Sequence, residues 1–224
     1  MTETKKTRRI KLWDLPLRLF HWALLICVAG AIASIEIGEN VEVHQYFGYA
    51  ILSLLIFRVI WGVVGGSHAR FVSFIRGPGT VLDYLKRMKE HKGPSIGHNP
   101  LGALSVLGML AALFVQATSG LFLTDEIMFE APLFKYISGA TASLLAEIHE
   151  INAAIIFTLI GLHLAAILFY RFIKRENLIT PMVTGNKEVP AELPDQDASG
   201  GSAWLGLLVF GVAAGTVWFI INKL

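Results

Sequence analysis

Two histidines, His149 and His163, stand fourteen positions apart in one long apolar run, residues 147–170. Fourteen residues are close to four turns of an α-helix. Both imidazoles therefore leave one face, about 21 Å apart along the axis. Ionisable side chains inside a membrane span are costly and mark function. Two on one face, separated by most of a bilayer's apolar thickness, suit axial ligation of two stacked metal cofactors.

Other residues repeat the pattern. His44 and Arg58 are also fourteen apart, in the apolar run 44–64. Gly48 lies one turn from His44 on the same face; a missing side chain there leaves room for a large planar ligand, or for close helix packing. Arg58, at membrane depth on that face, needs an anionic partner such as a haem propionate, or else snorkels to the headgroups. His21 stands about one turn inside the next candidate span, after Asp14, Pro16 and Arg18. Alone it reads equally as an interfacial histidine. Asp14 and Arg18 are expected near the edge of an inner cofactor, with helix capping the rival role for Asp14. His68, His91 and His98 lie outside any apolar core and read as interfacial or solvated, His98 being the one that could border a cofactor or quinone.

Five apolar segments are long enough to cross a membrane: about 17–37, 44–64, 101–123, 147–170 and 203–221. With 54% hydrophobic and 16% charged residues in 224, the chain is not an ordinary soluble domain. The lone cysteine, Cys27, excludes an internal disulfide, a C-x-x-C-H haem attachment and a thiolate cluster. The basic start and apolar first run imitate a signal peptide, but the run carries Arg18 and His21, and an uncleaved first span is expected.

Charge placement orients the spans. Lys5, Lys6, Arg8, Arg9, Lys11 and Arg18 precede or open span one. Arg70, Arg76, Lys86, Arg87, Lys89 and Lys92 follow span two, and Arg171, Lys174, Arg175 and Lys187 follow span four. The alternate loops hold Glu36, Glu39, Glu42, Asp125, Glu126 and Glu130, with Lys135 their one Lys or Arg. The positive-inside rule puts the N-terminus and the 65–98 loop in the cytoplasm and the C-terminus in the periplasm. A bacterial cytoplasmic-membrane location follows. The 65–98 loop is expected to hold a short amphipathic helix on the inner surface, and the 124–146 loop a short surface helix that offers a docking surface.

The expected fold class is an all-α membrane protein: a four-helix dihaem bundle plus a fifth C-terminal transmembrane helix. The expected divisions are a basic N-terminus (1–16), a cofactor core (17–185), a flexible linker (186–202) and an accessory span (203–224). That accessory helix would serve oligomer contacts, a homodimer among them, or a partner subunit. No nucleic-acid partner is expected; membrane lipid is.

Orientation fixes depth. His44 and His149 each open a span from the outer side, while His163 and His21 lie in the inner half. Only two depth-matched pairs exist: His44 with His149, and His21 with His163. Inward ligands in a four-helix bundle are a familiar way to hold cofactors. Two imidazoles on opposite faces of a planar cofactor describe haem b, and two axial ligands favour electron transfer over oxygen chemistry. One end of such a conductor should meet quinone and the other a water-side partner. A histidine proton relay is the main rival, and does not account for level pairs.

Several motifs then resemble the prokaryotic cytochrome b561 family, in the broad group that includes the b-type cytochrome subunits of nickel–iron hydrogenases. They are Arg18-Leu19-Phe20-His21-Trp22, His44-Gln45-Tyr46-Phe47-Gly48-Tyr49, Arg58-Val59-Ile60-Trp61-Gly62, Ala69-Arg70-Phe71, His98-Asn99-Pro100 and the His149…His163 helix. The resemblance covers about residues 11–185. It implies two haems b on the four histidines and quinone-linked electron transfer, with a periplasmic cytochrome c or hydrogenase subunits as partner. Some members of the family oxidise superoxide and reduce quinone; the acidic outer loops oppose an anionic substrate. A non-redox transporter or sensor is the remaining alternative.

Overall fold

The computed structural model describes residues 7–87, 97–124, 129–192 and 197–224. The expectations for Lys5, Lys6, Lys89, His91, Lys92, Asp125 and Glu126 fall outside these residues. Among the described residues, five helices are long and apolar enough to span a membrane. They are α1 (Leu15–Glu36), α2 (Val41–Val64), α5 (Pro100–Ser119), α6 (Gly139–Phe172) and α8 (Ala203–Lys223), with α5 continued by a 3₁₀ turn to Phe122. Short helices α3 (Phe71–Phe74) and α4 (Pro78–Arg87) follow α2, and α7 (Ile179–Thr184) follows α6. The amphipathic helix expected in the 65–98 loop is α4. In the 124–146 loop the surface element is a 3₁₀ turn, Phe134–Tyr136.

Side-chain caps start the first four spans. Asp14 accepts from Leu17 N at 2.8 Å, with Pro16 in the first turn of α1. Asn40 caps α2 through Val43 N at 2.9 Å, and Asn99 caps α5 through Gly102 N at 2.7 Å. Ser138 caps α6 nine residues before the apolar run begins. At 34 residues α6 is about 51 Å long, well beyond a bilayer's apolar core of about 30 Å.

Helix α1 packs on α2, α2 on α5 and α5 on α6, while α6 stands off from α1 and α2. Leu17, Phe20, Leu24, Leu55, Phe57 and Trp61 are buried along the α1–α2 seam. The fifth helix is not loosely appended. It lies along the far side of α2, burying Gly206, Val209, Ala213 and Val217. Gly206 is needed there, because a Cβ would meet Pro16 Cγ at 2.7 Å.

Two strands were not expected in an all-α chain. β1 (Thr7–Lys11) pairs antiparallel with β2 (Asn186–Pro190), Ile10 opposite Lys187 and Arg8 opposite Val189. Residues 186–190, expected within a flexible linker, are thus fixed at the end of the bundle where α1 and α8 begin. Ile10 and Val189 are fully buried, and Lys187 donates to Glu176 at 2.5 Å. Ser67 N donates to Ser199 O at 2.8 Å, tying the α2–α3 connection to the segment before α8. At the opposite end the Tyr136 hydroxyl donates to the Leu224 carbonyl.

Candidate functional site

The first histidine pair is assembled by a glycine. A Cβ at Gly30 of α1 would lie 2.3 Å from Phe47 Cζ, so the Phe47 ring occupies the space a side chain would need. This close approach brings His44 Nδ1 to 2.8 Å from the Ala31 carbonyl. A carbonyl only accepts, so Nδ1 carries the proton and Nε2 keeps its lone pair. On the other side, His149 Nδ1 lies 3.0 Å from Ser119 Oγ. The Ser119 hydroxyl is donated to Val115 O at 2.7 Å, which leaves its oxygen to accept from His149. The ring centroids of His44 and His149 are 6.3 Å apart, with planes at 72°. Two metal–imidazole bonds of about 2 Å, plus roughly 1 Å from each nitrogen to its ring centre, put two axial rings about 6 Å apart. The pair therefore fits a bis-imidazole site, each ring held from behind as a ligating histidine usually is.

His21 and His163 are within electrostatic reach of each other across the gap between α1 and α6. The His21 ring stands edge-on to Trp22 at 5.2 Å, and its Nδ1 is buried with no hydrogen-bond partner. Gly48 faces open space: apart from its own stretch of helix, nothing lies within 4 Å of where its Cβ would be. Close helix packing is therefore not what Gly48 provides. Gly120 borders the first pair, its Cβ position 3.3 Å from His149 Cε1.

Arg58 is 2% exposed and does not snorkel to solvent. Its guanidinium lies 4.5 Å over the Phe71 ring, and Nη1 has no hydrogen-bond partner. Gly62 makes that stacking possible, since a Cβ would stand 2.1 Å from Phe71 Cε2. Asp14 is also 2% exposed. Besides capping α1, it accepts from Trp61 Nε1 at 3.1 Å and from Gly66 N at 3.2 Å. Its capping and its burial next to Trp61 are one arrangement, and it acts on Arg58 only electrostatically. Arg18 Nη1 donates to the Val183 carbonyl, and its Nε is buried without a partner.

His98 is enclosed, contrary to expectation. Its ring packs 4.9 Å from Trp13 and 4.7 Å from Phe74, and its Nδ1 is buried with no partner. Burial pushes its pKa down to about 4, helped by the charges of Arg58 and His68. The residues that make this pocket are scattered over three connections, and no single stretch of sequence advertises it.

Gly30, the Ala31 carbonyl, Ser119 and Gly120 were not foreseen as parts of the site. Ser119 is a polar residue in an apolar span. Asn152, one turn along α6 from His149, was likewise silent. It is buried and donates to Ala112 O at 2.9 Å and Gln116 Oε1 at 2.6 Å.

Five spans, paired histidines facing across a bundle that is open between α6 and α1–α2, and no thiolate ligand define a multi-pass membrane protein of the cytochrome b class. The family model for prokaryotic cytochrome b561 matches residues 12–185, and the chain belongs to that family. It is a membrane electron-transfer protein. Among curated proteins it is 25% identical to a "Probable Ni/Fe-hydrogenase B-type cytochrome subunit" of Azotobacter chroococcum mcd 1, over 86% of this chain and 94% of the relative. A protein of the same description from Azotobacter vinelandii is 24% identical over the same shares. No solved structure matches. A b-type cytochrome holds haem without covalent links, and the His44–His149 geometry fits such a group.

Proposed function

We propose that the chain carries electrons across the bacterial cytoplasmic membrane through two haems b, His44 and His149 holding one and His21 and His163 the other. The basic end, with residues 7–14, 65–87, 173–192 and 197–202, faces the cytoplasm, and the acidic end faces the periplasm. The observation that carries this is the His44–His149 pair: rings 6.3 Å apart, each Nδ1 engaged by the neighbouring helix, so that each Nε2 is left free to ligate. When bound, the haem supplies a one-electron iron couple with no open coordination position. The chain supplies the rest. Gly48 leaves room for the macrocycle, and the free Nη1 of Arg58 is offered to a propionate. Arg18 borders the inner level. The bundle of residues 17–185 excludes water, and α8 seals the back of α2.

Quinone is the redox partner at the basic end. At the acidic end the partner is a hydrogenase or a c-type cytochrome. The names of the Azotobacter relatives support the hydrogenase. The test is an absorbance spectrum and haem-to-protein ratio of the purified full-length chain, followed by reduction with a quinol. Two low-spin haems b per chain that exchange electrons with quinol support the proposal. A colourless folded protein, or haem that opens to carbon monoxide, sinks it. Superoxide consumption by the isolated chain would assign the stand-alone oxidase activity instead of the partner-linked one.

A further inference from the structure

We infer that Ser119 is a positioning residue that makes the His44–His149 level the low-potential one of the two. The inference rests on the dihaem arrangement proposed above. An electron shared between the levels then rests at His21–His163, near the basic end.

Three features act in the same direction. The first is ligand basicity. His44 donates through Nδ1 to the Ala31 carbonyl at 2.8 Å, and His149 donates through Nδ1 to Ser119 Oγ at 3.0 Å. An axial imidazole that donates its second proton is a stronger electron donor to the metal, and favours the oxidised ion. His21 has no such partner: its Nδ1 is buried and meets no acceptor. The second feature is local charge. Glu147 and Glu150 flank His149 in sequence, and Glu36, Glu39 and Glu42 surround the start of α2. The third is Arg58, a buried guanidinium fourteen residues along α2 from His44, which places it about 21 Å further along the helix, at the other level. Asp14 offsets it in part, although the Asp14 carboxylate is itself turned to three donors, Leu17 N, Trp61 Nε1 and Gly66 N, and makes no ion pair with the guanidinium.

Ser119 is the one member of this set that a conservative change can remove cleanly. Its hydroxyl proton is committed to the Val115 carbonyl at 2.7 Å, so it serves His149 only as an acceptor. The Gln116 carbonyl faces the same ring. Loss of the hydroxyl therefore weakens the donation without abolishing it.

The test is a redox titration of the full-length haem-loaded protein, wild type against Ser119→Ala and Ser119→Thr. His149→Ala identifies which wave belongs to that level. Wild type should show two one-electron waves, and His149→Ala should remove the lower. Ser119→Ala should raise the lower wave by a threefold to tenfold change in oxidised-to-reduced ratio, about 30 to 59 mV at 59 mV per tenfold. The upper wave should stay in place, and Ser119→Thr, which keeps the acceptor, should restore the wild-type value. If Ser119→Ala only lowers haem occupancy and both waves keep their potentials, the residue is structural and the inference is overturned. Loss of the upper wave in His149→Ala overturns it too. Fewer than two waves in the wild type would instead remove the dihaem arrangement itself.

Discussion

Asn152 Nδ2 donates to Gln116 Oε1 at 2.6 Å, linking α6 to α5 in the middle of the bundle. The same nitrogen reaches the Ala112 carbonyl at 2.9 Å. Both side chains lie between apolar helix faces, where an unpaired amide is costly. The pair fixes the register of α6 on α5, and with it the height of His149, one turn away. Interhelical hydrogen bonds in membranes contribute modestly, about 0.6 kcal/mol on average and up to about 1.7. Asn152→Leu should cost about 1 kcal/mol in a detergent melt and leave Gln116 unpaired. It should also weaken retention of the haem at His149 more than that at His163. Equal loss of both haems would show that the pair does not set this register.

His149→Ala and His163→Ala should each lower the haem-to-protein ratio from two to one, because each removes one of only two axial ligands at its level. The surviving haem should differ between the two variants in potential. A ratio of two in either variant would leave the pairing without support.

The spans and the approach of His44 to His149 were legible because hydropathy, loop charge and a fourteen-residue interval are one-dimensional signals. What holds the histidines was not. The bond from His44 to Ala31 exists because Gly30 lets Phe47 close onto α1, a fact of packing between helices. The apolar run 147–170 is only part of α6, which begins at Gly139; Ser138 Oγ, accepting from Thr141 N at 3.2 Å, marks that start. Strands β1 and β2 were invisible for another reason. Their partners are far apart in sequence, and each strand buries little apolar side chain beyond Ile10 and Val189. His98 was misjudged because its neighbours Trp13 and Phe74 come from separate segments.

Arg58→Leu should lower the potential of the His21–His163 level by at least a threefold change in oxidised-to-reduced ratio, about 30 mV. The other level should move less, because it lies about 21 Å further along α2. The guanidinium is 2% exposed, so salt in the buffer screens it little and the effect should persist at high ionic strength. Equal shifts at both levels would place Arg58 elsewhere than beside the inner cofactor.

Acid should loosen the basic end through His98. Its pKa is about 4 in the folded protein against 6.5 for a free histidine, because burial and the charges of Arg58 and His68 disfavour the imidazolium. Below pH 6.5 the unfolded chain binds a proton that the folded chain does not. Stability is therefore intact above about 6.5, falls as pH drops through the window, and is lost in full from this source below about 4. At 1.36 kcal/mol per unit, the loss at pH 5 is about 2 kcal/mol. His98→Phe keeps a ring between Trp13 and Phe74 and removes the titrating group. Its melting temperature should therefore fall less than that of the wild type between pH 7.5 and pH 5. Parallel melting curves across that range would mean that His98 takes up its proton without leaving the pocket, and that its enclosure does not govern the acid sensitivity of this end.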